Sequence, residues 1–235
     1  MIYIKSDKEI ELMRKPCQIV RDVLRLCEDK IKAGMTTKEL DKIAYDYITS
    51  CGAKPSFLGY GGFPAATCIS IDEQVVHGFP SDRIIEEDQI VSVDVGAYFN
   101  GFHGDAARSL YVGHISPEKK KLIDVTRECF FEGIKGICIG SALGDIGAQV
   151  QEHAEKNGFS VVRDMVGHGV GRNLHEDPSV PNYGRRGVGV RLKRNMTIAI
   201  EPMINMGGYE VDIDGWKCVT SDGKPSAHYE NTVLI

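Results

Sequence analysis

The stretch Ile90-Val91-Ser92-Val93-Asp94-Val95-Gly96, continuing through Asn100-Gly101 to Gly104-Asp105, constrains this chain more than any other. Asn-Gly between two extended runs is the strongest short signal for a two-residue hairpin, because both residues tolerate the positive φ that such a turn needs. A turn there sets Asp105 opposite Gly96. Residues two apart on a strand share a face, so Asp94 and Asp105 become diagonal neighbours with Cβ atoms about 7 Å apart. Asp is depleted in strands, and two like charges on a buried face are costly unless something neutralises them. A solvated hairpin face with two surface carboxylates would avoid the cost. The apolar run around Asp94 favours instead a strand buried on both faces and a bound metal ion.

Two further carboxylates stand in similar company. Ile198-Ala199-Ile200-Glu201-Pro202-Met203 places a Glu in an apolar strand whose ladder proline then ends. Ser226-Ala227-His228-Tyr229-Glu230-Asn231 does the same near residue 230. Either Glu alone fits an edge strand equally well. Histidine supplies more candidates. Val166-Gly167-His168-Gly169-Val170-Gly171 surrounds His168 with glycines that let other groups crowd the imidazole. It is not a dinucleotide loop, since Arg172 to Pro178 opens no helix. His175 lies in a loop and His77 closes a short strand, whereas His103, His114 and His153 read as structural. His228 shares strand parity with Glu230, which makes it a candidate to support a ligand and no more.

Other chemistries fare poorly. There is no G-x-S-x-G elbow, H-E-x-x-H helix or P-loop. The seven cysteines include no C-x-x-C pair, against both a disulfide framework and a cysteine zinc site, and Cys68 lies in an apolar strand that reads as packing. A net charge of -5 without a basic block argues against direct nucleic-acid binding, and no run of 18 apolar residues is present to cross a membrane. The N-terminus becomes charged too early for a signal peptide, so a soluble cytoplasmic protein is expected.

Capping boxes at Ser6/Glu9 and Thr36/Glu39 open two helices, the first with an apolar stripe of Ile10, Met13, Cys17, Val20, Leu24, Cys27 and Ile31. The second should bury Leu40, Ile43 and Tyr47. Ser116-Pro117 starts a third helix through about Gly136, and a fourth runs from about Ser141 to Lys156. Ile31-Lys32, Leu40 and Ile43 recur as Ile134-Lys135, Leu143 and Ile146. Glycine-rich strands follow each helix pair. The repeat suggests a single domain of two α+β halves, about 1–112 and 113–235, around a shared sheet.

The motifs Val76-His77-Gly78, Val93-Asp94-Val95-Gly96, Gly104-Asp105-Ala106-Ala107-Arg108, Gly167-His168-Gly169-Val170-Gly171, His175-Glu176-Asp177-Pro178, Ile200-Glu201-Pro202-Met203 and Tyr229-Glu230-Asn231-Thr232, in this order, resemble those of type I methionine aminopeptidases of the bacterial kind. The likeness spans essentially the whole chain. It implies the pita-bread fold, an α+β class in which a pseudo-two-fold symmetric, curved antiparallel sheet is flanked by two pairs of helices. It also implies a centre of two divalent metal ions (Co, Mn, Fe or Zn) held by Asp94, Asp105, His168, Glu201 and Glu230. Four carboxylates offset two such ions. By the same resemblance Asp94 chelates one ion, Asp105 and Glu230 bridge both, and His168 and Glu201 complete the other. Glu201 is the proton shuttle, His175 steadies the oxyanion and His77 binds the substrate backbone. Phe57, Tyr60, Phe63, Cys68, Leu174 and Trp216 form an apolar methionine pocket.

Phe57, Phe63 and Leu174 depart from the Cys, Tyr and aromatic residue common in the family, which keeps the pocket apolar but changes its shape. The implied activity is removal of initiator methionine before a small second residue, on peptides and nascent chains at the ribosome, by a monomer. The rival is an X-Pro peptidase on the same fold, such as a prolidase or aminopeptidase P. Those enzymes usually carry a separate N-terminal domain, and the first motif helix here begins near residue 6.

Overall fold

In the computed structural model, which describes residues 1–235, reciprocal capping boxes open the first two helices. The Ser6 hydroxyl accepts from Glu9 N–H, and the Glu9 carboxylate accepts from Ser6 N–H at 2.8 Å, starting α1 (Asp7–Lys30). Thr36 and Glu39 repeat the arrangement at the start of α2 (Thr37–Ser50). The buried face of α1 is broader than the expected stripe, since Pro16, Ile19 and Val23 join it while Cys17 is only half-buried. In α2 the expected face is rotated. Leu40, Ala44 and Ile48 point inward at i, i+4 spacing, and Ile43 and Tyr47 are half-buried flanks.

Two later helices, α3 (Pro117–Ile134) and α4 (Leu143–Lys156), pack on each other. α4 begins beyond Ser141: the Asp145 carboxylate accepts from Ala142 N–H at 2.7 Å, so Ala142 holds the cap position.

Strands Val91–Phe99 and Phe102–Leu110 form the expected hairpin, with Asp105 opposite Gly96. Asn100 and Gly101 adopt φ of 50° and 89°, the left-handed pair that a tight turn requires. A second antiparallel ribbon pairs Thr197–Ile200 with Asn231–Leu234, and Met203–Asn205 with Ser226–His228. One register runs through both segments (Ile200 opposite Asn231, Met203 opposite His228), so Glu201-Pro202 faces Tyr229-Glu230 across a break in the ladder. Proline has no N–H with which to continue it.

The strands hydrogen-bond in four antiparallel groups, and the hairpin and the second ribbon meet edge to edge. At this seam Ala107 N–H donates to the Glu230 carbonyl at 3.3 Å, and Glu230 N–H to the Ala107 carbonyl at 2.9 Å. The Thr232 hydroxyl accepts from Asp105 N–H and donates to the Asp105 carbonyl, and the Ser109 hydroxyl does the same for His228.

Two large cores result. One joins α1 and α2 to the first hairpin, and the other joins α3 and α4 to the second ribbon. Ile90 belongs to the second core, so the packing boundary does not follow the chain boundary near residue 112.

Candidate metal centre

Four carboxyls and an imidazole converge where the ribbons meet. The hairpin brings Asp94 and Asp105, the facing break brings Glu201 and Glu230, and strand Gly167–Gly169 brings His168. His168 Nδ1–H donates to the Gly169 carbonyl at 2.8 Å, which leaves Nε2 bare. That nitrogen lies 3.9 Å from Asp105 Oδ2 and 3.7 Å from Glu201 Oε1. Single donor atoms of Asp105, His168 and Glu230 fall within 4.8 Å of one another, as do those of Glu201, His228 and Glu230. Asp94 Oδ1, Asp105 Oδ1 and Glu230 Oε1 are buried and lack any partner in the protein. Buried oxygens are rarely left so. Bare carboxylate oxygens around one imidazole suit divalent Mn, Fe, Co or Zn, so the donor set fits the metal implied by the sequence.

The electrostatics agree. Burial pushes the Asp94 carboxyl up to about 7 and the Glu201 carboxyl up to about 8. Asp105 and Glu230 are raised well above the carboxylate range, by burial first and by neighbouring carboxyls second. Burial lowers His168 to about 4, with a further contribution from His175, so its imidazole is neutral at physiological pH. His228 stands beside Glu201, its Nε2 3.6 Å from Oε2.

The centre opens into a cavity of about 230 Å³. Every expected site residue lines it: His77, Asp94, Asp105, His168, His175, Glu201, Glu230, Phe57, Tyr60, Phe63, Cys68, Leu174 and Trp216. Phe57, Phe63, Cys68 and Leu174 pack as one apolar cluster, with Trp216 edge-on to Phe63 at 5.3 Å. His77 sits at φ 60°, edge-on to Trp216 at 5.5 Å. The His175 ring lies 4.3 Å from His168, and its Nδ1 is 2.7 Å from the Tyr60 hydroxyl. Sequence reasoning missed that pair, along with Met165, Val166, Ser179 and Met203 on the wall. Val166 adjoins a recognised motif and Met203 ends one, whereas Met165 and Ser179 carry no such signal.

The glycines on either side of His168 do let backbone crowd in. A Cβ at Gly167 would lie 2.3 Å from the Ala199 carbonyl, and one at Gly169 2.2 Å from that of Asp177. They let neighbouring strands approach the backbone of the His168 strand.

Four carboxyls and an imidazole set beside an apolar cavity between two antiparallel ribbons suit a metal-dependent hydrolase. Residues 11–235 match the model of metallopeptidase family M24, and the chain belongs to that family. It is similar to the methionine aminopeptidase of Clostridium perfringens, with 54% identity covering 100% of this chain and 95% of that protein. The crystal structure of methionine aminopeptidase from Thermotoga maritima superposes with a TM-score of 0.98 at 46% identity, covering 100% of this chain and 96% of that one. The prolidase of Pyrococcus furiosus superposes at 0.80 with 25% identity, and the chain spans 62% of it.

Proposed function

We propose that this chain is a methionine aminopeptidase, removing N-terminal methionine from peptides and nascent chains whose second residue is small. The observation that carries the reading is that one cavity joins the cluster of Phe57, Phe63, Cys68 and Leu174 to the five candidate ligands. Methionine's flexible, polarizable side chain suits walls of Phe57, Phe63, Cys68, Leu174 and Trp216. Asp94, Asp105, His168, Glu201 and Glu230 would hold two divalent ions. Bound there, such ions supply hydroxide at neutral pH and polarise the scissile carbonyl.

The remaining steps belong to the chain itself. Glu201 takes a proton from the attacking water and returns it to the leaving amine, with His228 Nε2 3.6 Å from its Oε2. His175 Nδ1 pairs with the Tyr60 hydroxyl at 2.7 Å; with the hydroxyl as donor, the ring carries its proton on Nε2, where it steadies the developing oxyanion. His77, wedged against Trp216, bonds the substrate backbone. No helix is long and apolar enough to cross a membrane, and we place this activity in the cytoplasm, carried out by a monomer.

The prolidase likeness makes X-Pro cleavage the rival reading. Metal-loaded protein should release methionine from a Met-Gly peptide and leave an Ala-Pro peptide intact. Cleavage of only the latter would overturn the assignment.

A further inference from the structure

Between α1 and α3, over the seam of the two ribbons, lies a second cavity of about 880 Å³. Arg108 rises from its floor. It stands three residues from Asp105 along one strand, so it leaves the face opposite the metal centre. Arg21, Arg25, Arg108, Lys120 and Arg127 line the groove against Glu28 and Asp124, five cations to two anions, an excess of three positive charges in a chain of net charge -5.

Cationic side chains on solvated helices need no ligand, but Arg108 is half-buried on a strand. Its guanidinium lies 4.0 Å over the Tyr229 ring. Nη1 donates to the Ala107 and Glu230 carbonyls at 2.7 and 2.6 Å, and Nη2 donates to Asn231 Oδ1 at 2.7 Å. Of the five N–H donors of a guanidinium, two, Nε–H among them, are left without a protein acceptor. The ion pairs lining this groove, Arg21 with Asp22 and Lys120 with Asp124, leave Arg25, Arg108 and Arg127 without a carboxylate partner.

We propose that this groove binds a phosphate group, gripped by the free edge of the Arg108 guanidinium and enclosed by Arg25 and Arg127. A planar fork of N–H donors matches phosphate oxygens. Leu24, Ile31, Tyr111 and Ile123 leave room for a flat apolar body beside it, so the phosphate is either free or carried on a nucleoside.

Calorimetric titration of the metal-loaded protein with inorganic phosphate, adenosine monophosphate and adenosine, at matched ionic strength, tests this. Both phosphates should bind and adenosine should not. Tighter binding of the monophosphate identifies a nucleotide site, and equal affinities identify a free-anion site. The double variant Arg25→Gln/Arg127→Gln changes two exposed helical residues, and should weaken phosphate at least tenfold while leaving peptide cleavage unchanged. Stripping the metal with EDTA should leave phosphate affinity unchanged. Unaltered binding in the double variant, loss of binding with EDTA, or no heat beyond the salt control would each overturn the proposal.

Discussion

Removal of the divalent cations should change how stability responds to pH. Burial holds Asp94 at about 7 and Glu201 at about 8, against ordinary values of 3.8 and 4.5, and Asp105 and Glu230 are raised as well. Without cations, the folded protein keeps protons on these carboxyls that the unfolded chain gives up. The resulting stabilisation is fully present below about pH 4 and is lost as pH rises through 7 to 8. A shift of about three pH units corresponds to ~4 kcal/mol per group. The carboxyls face one another and do not add independently, so one group's worth is the working figure. Set against a typical net stability of about 5–15 kcal/mol, that is large. At about 2–4 °C per kcal/mol for a chain of this size, the melting temperature of metal-free protein should fall by about 8–16 °C toward pH 8, relative to the metal-loaded form. Scanning calorimetry of EDTA-treated and Mn-loaded protein from pH 5 to 8 measures the gap. Growing negative charge above a pI of about 5.8 lowers both curves, which is why their difference is the readout. Metal-free Glu201→Gln, with an amide that does not titrate, should lose less over this range and exceed metal-free wild type at pH 8. Parallel curves, or an unaltered slope in the variant, would refute the reasoning.

Two substitutions probe the supports of the site. Tyr60→Phe keeps the ring 5.1 Å from His175 but removes the hydroxyl bonded to Nδ1. It should lower kcat about tenfold, the worth of one hydrogen bond, with little change in KM, and steady-state kinetics showing a raised KM alone would make Tyr60 a binding residue only. Gly104→Ala would set a Cβ 2.6 Å from Cys17 N and 2.7 Å from the Pro16 carbonyl carbon, where α1 lies on the hairpin. We expect a loss of about 1–3 kcal/mol in urea unfolding, and an unchanged midpoint would show that α1 yields freely.

What the sequence made legible follows from how far each signal reaches. Asp105 could be placed against Asp94 because Asn100-Gly101 sets the register within a few residues. The capping boxes place helix starts for the same reason, but they do not say which ridge a neighbour will cover. In α2 the inward ridge is Ala44 and Ile48, not Ile43 and Tyr47. Glu201 and Glu230 carry no local signal for facing each other. The chain between them forms another hairpin, Val211–Asp214 with Lys217–Thr220, so no single tight turn fixes their register, and the motif resemblance was needed to join them. The contacts of Tyr60 with His175 and of Arg108 with the Glu230 carbonyl span more than a hundred residues and were equally invisible.

The seam explains why such distant residues can make a precise site. Asp105 and Glu230 are both bonded into it through their own backbone groups, Asp105 to Thr232 and Glu230 to Ala107. Their positions are therefore set by ladder and hydroxyl bonds that involve no cation. The side-chain oxygens remain bare because the backbone, rather than a neighbouring donor, holds these residues in place. A site built in this way carries the electrostatic cost in its carboxyls, while its geometry is fixed by the fold.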